Sequence, residues 1–397
     1  MNYKRSNDIR GAVKDKEAAV ILVCPLYWGT GHATRVQIIA RELKKRGHKI
    51  FFAAPPALHG AIDKQSYTEL VPFSSPPVHY SARLPLYLSV FLQLPRLTGS
   101  FIADRLRLPG ILRKYGIDLI ISDNRFGLWS KKVPSIYITH QLRVMLPRPL
   151  RFASPLASAL HRAVARRYER CWVPDLPGTD NLGGRLSHEC RIPPATRYIG
   201  ILSRLEAPGG KAGPEAPGQG HEAGPEAPVA GGKSGGNKDY SLALLSGPEP
   251  QRSMLEDIII TQARRFPGRL IIVAGQPGSE NKNTGGDITR YPWAGSRQLA
   301  RLVSGAACII CRPGYSTLMD LARLGKTALL VPTPGQPEQE YLAAHLSAKY
   351  GFAGVSQKEL SSGIIPAGKE KGWPPAESLL LQEALDELFK KQPSPAR

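Results

Sequence analysis

Acidic residues are scarce: 32 Asp and Glu stand against 53 Lys and Arg, a formal net charge of +21 in 397 residues. Such a surface attracts anions, whether nucleic acid, anionic lipid or phosphorylated substrate, and charge alone does not choose among them. The stacking and recognition-helix motifs of nucleic-acid binders are missing, so no nucleic-acid partner is expected. Cysteine is sparse and odd in number, at 5, without a framework spacing. That excludes a disulfide scaffold and reads as thiols of a reducing compartment. The one CxxC, Cys308 and Cys311, lies inside the apolar run "ACIIC" and reads as strand packing, not as a metal site. No run of 18 apolar residues occurs, so no membrane span is expected. The first 17 residues are a charged tail without a signal-peptide core, and a cytoplasmic location follows.

What is present is an alternation of strands and helices. Residues 18–24 read as a buried parallel strand, and a helix from about Ala33 carries Val36, Ile39, Ala40 and Leu43 on one face. Lys44, Lys45 and Arg46 before Gly47 suit the negative end of its dipole. "HKIFFAA" resumes as a strand and closes a βαβ unit. "IDLIIS" and "PSIYIT" are further strands that end in Asp123-Asn124-Arg125 and His140-Gln141. Residues 206–238 break the pattern with "AGPEAP" at 212–217 and again at 223–228, a composition that reads as a flexible insertion. The alternation restarts at "DYSLALLS", with helices expected at 250–265, 296–304, 315–324 and 337–349 and a closing amphipathic helix at "ESLLLQEALDELF". The reading is α/β: two doubly wound Rossmann-like domains facing a cleft. The expected divisions are a tail 1–17, a first domain 18–200, a linker with the insertion 201–238, and a second domain 239–397.

Ligands of such sheets bind beyond the carboxyl ends of the strands. "WGTGHATR" (28–35) is the first turn at such an end. It is not a dinucleotide fingerprint: Gly29 and Gly31 supply two glycines, the third position is Thr34, and no acid ends the second strand. Gly29, Thr30 and Gly31 allow a ligand to approach the backbone closely. His32 then stands near a helix N-terminus, whose positive end disfavours imidazolium and keeps the ring neutral enough to act as a base. A histidine that merely enters a helix is the plain alternative. Asp123 is placed to hold its imidazole, or else caps "SDNR", and His140 is the rival base. Asn124, Arg125 and Gln141 complete the acceptor side.

In the second half, Ser246 and Gly247 in "LLSGPEPQR" point amides at an anion, and Arg252 adds charge. "CRPGYSTLMDLARLG" (311–325) brings Arg312, Gly314 and Thr317 to a strand end, with Asp320 in the second turn of a helix, where an acid can take both hydroxyls of a ribose. Gln336, Glu338, Gln339 and Glu340 cluster at the start of the next helix, as a polyhydroxyl ligand requires.

"WGTGHATR", "CRPGYSTLMDLARLGKTALLVPTPGQPEQEYLA" and the linker ending "YIGILSRL" together resemble bacterial glycosyltransferases of the GT-B fold. The nearest group is family 28, that of the lipid II-forming N-acetylglucosaminyltransferases. The resemblance covers both domains without the tail and the insertion. It implies that Asp320 binds ribose, that Gln339 touches the donor sugar, that Arg204 approaches the donor, and that Ser246 and Gly247 hold the diphosphate. The turns depart from the family pattern: WGTGH replaces the doubled GTGGH, and PEPQR replaces a serine-glutamine-glycine turn. The implied reaction moves a hexosyl group from a nucleotide-diphosphate sugar, UDP first, to a hydroxyl, with inversion and without metal or cofactor; no Asp-x-Asp occurs in the chain. Segment 142–170 holds seven arginines against one glutamate. Arg162, Arg166 and Arg170 are spaced i, i+4, i+8 beside Leu156, Leu160 and Val164, and residues 83–114 mix basic and large apolar side chains. Such surfaces suit an anionic membrane and a lipid-linked or envelope acceptor, with the protein peripheral on the inner face of the cytoplasmic membrane. A GT-B-fold sugar-nucleotide epimerase and a non-enzymatic basic membrane-binding protein are the competing readings.

Overall fold

The computed structural model describes residues 18–27, 30–56, 59, 62–73, 86–206, 240–277, 279, 286–369, 373 and 379–389. The charged tail, nearly all of the insertion and Gly29 lie outside the described residues. The chain divides into two compact units, one drawn from Met1–Pro77, Leu92–Leu202 and Glu377–Arg397, the other from Val78–Phe91 and Ser203–Ala376.

The first unit follows the βαβ alternation. Its elements are β1 (Val20–Pro25), α1 (Thr30–Lys45), β2 (Lys49–Ala54), β3 (Glu69–Pro72) and α2 (Leu86–Tyr115). They continue with β4 (Leu119–Asp123), β5 (Ser135–Ile138), α3 (Ser154–Ala165), β6 (Arg170–Val173) and β7 (Thr196–Tyr198). The strands pair in parallel in the order β3-β2-β1-β4-β5-β6-β7. β1 is apolar throughout, and β4 is apolar up to Ile121, because helices cover both faces of a parallel sheet. Leu22, Cys24, Ile120 and Leu128 join Leu108 of α2 in one buried cluster. α1 presents Val36, Ile39, Ala40 and Leu43 to the sheet, as its spacing predicts. Residues 86–115 form one helix despite Pro95 and Pro109 within it.

In the second unit β8 (Tyr240–Leu244), α4 (Gln251–Thr261), β9 (Arg269–Val273), β10 (Ile288–Tyr291), α5 (Ser296–Gly305) and β11 (Cys308–Cys311) come first. α6 (Tyr315–Arg323), β12 (Leu329–Leu330), α7 (Pro337–Tyr350), β13 (Ala353–Gly354) and α8 (Gln357–Ser361) follow. The sheet order is β10-β9-β8-β11-β12-β13, again all parallel. Its core joins Ala243, Leu255, Ile259, Ile272, Ile310 and Val331. Both sheets reverse strand order beside their first strand, between β1 and β4 and between β8 and β11. Those are the positions at which doubly wound sheets bind ligands.

Two expectations are corrected. The closing helix, α9 (Leu380–Phe389), was placed with residues 239–397 but packs on the first unit. There Phe389 stacks on His48 at 4.2 Å, and Arg46 bonds Asp386 at 2.6 Å. The arginine stripe does not form either. α3 ends at Ala165, so Arg166 caps it and Arg170 starts β6.

Candidate functional site

The first unit's switch point places β1 beside β4 with Pro25 opposite Asp123. The turn after β1 leads into α1, whose third residue is His32. Nδ1 of His32 lies 3.1 Å from Oδ2 of Asp123, a fully buried carboxylate. Arg35, one turn along the same helix, donates from Nε to that oxygen at 2.8 Å and from Nη2 to Oδ1. Its Nη1 lies 2.9 Å from Nδ1 of His140, which follows β5. Burial would raise the Asp123 carboxyl, but the charge of Arg35 and contact with His32 outweigh it and hold the group far below the usual carboxylate range. Burial lowers the His32 imidazole, and Arg35 and His140 add to that effect against the pull of Asp123. His32 is therefore a neutral, half-buried ring held by an ionised carboxylate, which is what a general base requires.

The neighbouring acceptor-side candidates divide. Asn124 has a left-handed backbone, φ 54°, and its Oδ1 accepts from the Tyr137 hydroxyl at 3.0 Å. Gln141 closes its own turn through its backbone, the N–H donating to Thr139 Oγ1 at 3.1 Å. Arg125 is spent inside the fold: it is buried, donates to Asp104 at 2.7 to 3.1 Å and lies over Phe73. Thr30 and Gly31 open α1, and Gly31 O accepts from Thr34 Oγ1 at 3.0 Å.

In the second unit β8 and β11 are adjacent, so the turns after them meet. A Cβ on Gly314 would lie 3.9 Å from both Ser246 Oγ and Thr317 Oγ1. Gly247 takes φ 102°, which only glycine adopts at little cost. α6 has no side-chain cap and no acid in its first turn, so its N-terminus keeps a positive dipole end, whereas at α4 the Glu249 carboxylate accepts from the Ser253 backbone amide at 3.2 Å. Asp320 is half-buried on α6. Burial raises its carboxyl despite Arg204 and a hydrogen bond from Ser203 Oγ at 2.6 Å. Arg204 Nε lies 4.0 Å from the other oxygen, and its guanidinium covers the Trp293 ring. Gln336 is the N-cap position of α7, and Gln339 Oε1 accepts from the Thr333 amide at 2.8 Å, which leaves the Nε2 end for a ligand.

Two arginines expected at the donor are structural. Arg252 is buried in ion pairs with Glu249 and Glu256 and cannot lend its charge to a phosphate. Arg312 donates to the carbonyls of Val331, Pro332 and Gln251 and to Gln357 Oε1, tying β11 to its neighbours; burial pulls it down to about 10. Cys308 and Cys311 are free and sit on one strand at i, i+3, pointing to opposite faces. Among the described residues no group of three His, Cys, Asp or Glu is placed to hold a metal ion. The sequence reading missed Arg35 and Ser203. The signal for Arg35 was its i+3 spacing from His32; Ser203 offered none.

Residues 283–393 match the glycosyltransferase family 28 C-terminal domain. Over 151 residues the chain is 33% identical to the UDP-N-acetylglucosamine--N-acetylmuramyl-(pentapeptide) pyrophosphoryl-undecaprenol N-acetylglucosamine transferase of Desulforudis audaxviator (strain MP104C). That stretch is 33% of this chain and 40% of the relative's length. Among solved structures, the glycosyltransferase of kitacinnamycin aligns with a TM-score of 0.52 and 17% identity over 94% of both chains. The calicheamicin glycosyltransferase gives 0.54 at 15% identity, covering 94% of this chain and 90% of that one. The spinosyn rhamnosyltransferase complexed with thymidine diphosphate gives 0.53 at 14%, covering 87% and 88%. At these identities the likeness is one of fold: two parallel-sheet α/β domains, as in GT-B glycosyltransferases.

Proposed function

We propose that this chain is a glycosyltransferase that moves a hexosyl group from a nucleoside-diphosphate sugar to a hydroxyl acceptor, with inversion and without a metal. The observation that carries the reading is the pairing of His32 with the buried Asp123 at the switch point of the first sheet. Nε2 of His32 takes the proton of the acceptor hydroxyl as its oxygen attacks the anomeric carbon. The bond from that carbon to the diphosphate breaks, and its electron pair leaves on the phosphate oxygen. Asp123 stabilises the imidazolium until the proton passes to solvent. The second unit supplies the donor site: Ser246, Gly247, Gly314 and the N-terminus of α6 offset the leaving diphosphate, and Asp320 takes the ribose hydroxyls in place of Ser203. The relative's name favours UDP and the rhamnosyltransferase complex TDP; we take UDP as the donor nucleotide.

The acceptor we infer is lipid-linked, with the protein peripheral on an anionic membrane. Phe152, Leu156 and Leu160 on and before α3 are 82%, 64% and 61% exposed, beside exposed Arg148, Arg151, Arg166 and Arg167. No helix among the described residues is long and apolar enough to cross a membrane.

Thermal-shift binding of UDP, TDP, GDP and CMP to the wild type and to Asp320→Ala tests the donor half. UDP stabilising the wild type and not the variant is expected. Equal stabilisation of both by UDP removes Asp320 from the ribose, and no response to any nucleotide contradicts the transferase reading.

A further inference from the structure

Arg35 sits at the centre of the first unit's site with its side chain 2% exposed, and its guanidinium reaches three partners at once. A guanidinium only donates. Its bond to Nδ1 of His140 therefore requires a lone pair there, which puts the neutral ring's proton on Nε2. His32 differs, because its Nδ1 faces Asp123 Oδ2 at 3.1 Å and Arg35 Nη2 at 2.9 Å. With the proton on Nδ1 it donates to Asp123, and Nε2 is left bare to act as a base. With the proton on Nε2 it accepts from Arg35.

We propose that Arg35 is a positioning residue that sorts the two histidines by tautomer. It fixes His140 with its proton on Nε2, removing it as a rival base, and it sets against Asp123 the share of His32 in the base-competent form. The inference rests on His32 as the base. Only a planar fork performs it: a lysine nitrogen carries charge but cannot span Asp123, His32 and His140 together. The groups that face His32 are Asp123 at the end of β4, Arg35 on its own helix, and His140 after β5. Asp123 favours a proton on the ring, and Arg35 and His140 oppose it.

The test is proton–nitrogen NMR of the full chain carrying 15N-labelled histidine, assigned with His32→Gln and His140→Gln. In the wild type, His140 is expected in the Nε2–H form alone. In Arg35→Gln that exclusivity is lost, His32 moves toward the Nδ1–H form, and its titration midpoint rises. In Arg35→Lys the His32 midpoint stays near the wild-type position while His140 still loses its fixed tautomer. A wild-type His140 protonated on Nδ1 overturns the proposal without any variant having to fold, and so does a His32 midpoint indifferent to Arg35→Gln. Undiminished UDP release by His32→Gln would instead sink the base assignment and leave the tautomers standing.

Discussion

Asp123 is buried, ionised and matched by one guanidinium and one imidazole, so it is the residue whose loss is felt in both stability and rate. Asp123→Asn leaves Arg35 as an uncompensated buried charge. We expect a loss of about 3–5 kcal/mol in denaturant unfolding, together with a marked fall in transfer. The pH dependence follows from the same shifts. Asp123 is depressed in the folded state, so its contribution is present above the unfolded carboxylate range and is lost as pH falls below it. His161, held by Tyr137 at 2.8 Å, is lowered by burial to about 4, so the unfolded chain binds a proton between about 6.5 and 4 that the native one does not. Stability should therefore decline as pH falls from about 6.5 to 4, and urea midpoints across that range check it; a flat profile would contradict the buried neutral ring. His32 and Asp123 were legible in the sequence because a glycine turn and a strand end are local signals. Arg125, Arg252 and Arg312 were misassigned because their partners Asp104, Glu256 and the Val331 carbonyl are fixed by tertiary packing, which no spacing records.

The turns after the strands do as much as the side chains on them. Gly275 follows β9 at φ 68°, and a Cβ there would lie 2.4 Å from the Leu245 carbonyl oxygen beside the Ser246 turn. Gly275→Ala should cost about 1–3 kcal/mol of stability and weaken UDP binding, whereas Gly325→Ala, which meets nothing within 4 Å, should weaken binding little. Isothermal titration of both variants separates local strain from a general effect. Among the helices, α3 turns Leu156 and Leu160 outward, while Ser158, His161 and Ala165 face inward. Replacing Phe152, Leu156 and Leu160 with serine should abolish sedimentation with phosphatidylglycerol vesicles and leave thermal stability nearly unchanged. Retained sedimentation would remove this face from the membrane reading. Leu156 and Leu160 were legible as an apolar stripe; the companion stripe of arginines was not, because the helix stops at Ala165 and Tyr168 packs into the core instead of continuing it.

Across the molecule, the alternation of apolar strands with helices made both doubly wound units legible, since β1, β4, β8, β9 and β11 are buried and apolar almost end to end. The edge strands β3, β7, β10 and β13 were not, because runs of two to four residues are too short to carry a periodicity. α9 was read with the wrong unit because its amphipathic pattern names an apolar face but not the surface it covers. The account as a whole requires one chain to bind a nucleotide-sugar and to activate a hydroxyl. Its metal independence predicts turnover unchanged by EDTA. The most direct measurement is release of nucleoside diphosphate from UDP-N-acetylglucosamine, UDP-glucose and TDP-rhamnose, with phosphatidylglycerol vesicles carrying a bacterial lipid extract as the acceptor source. Wild-type, His32→Gln and Asp320→Ala chains are compared. The account predicts lipid-dependent release of UDP by the wild type, a fall of about a hundredfold or more in His32→Gln, and a raised KM in Asp320→Ala. Equal turnover by His32→Gln and the wild type would contradict it.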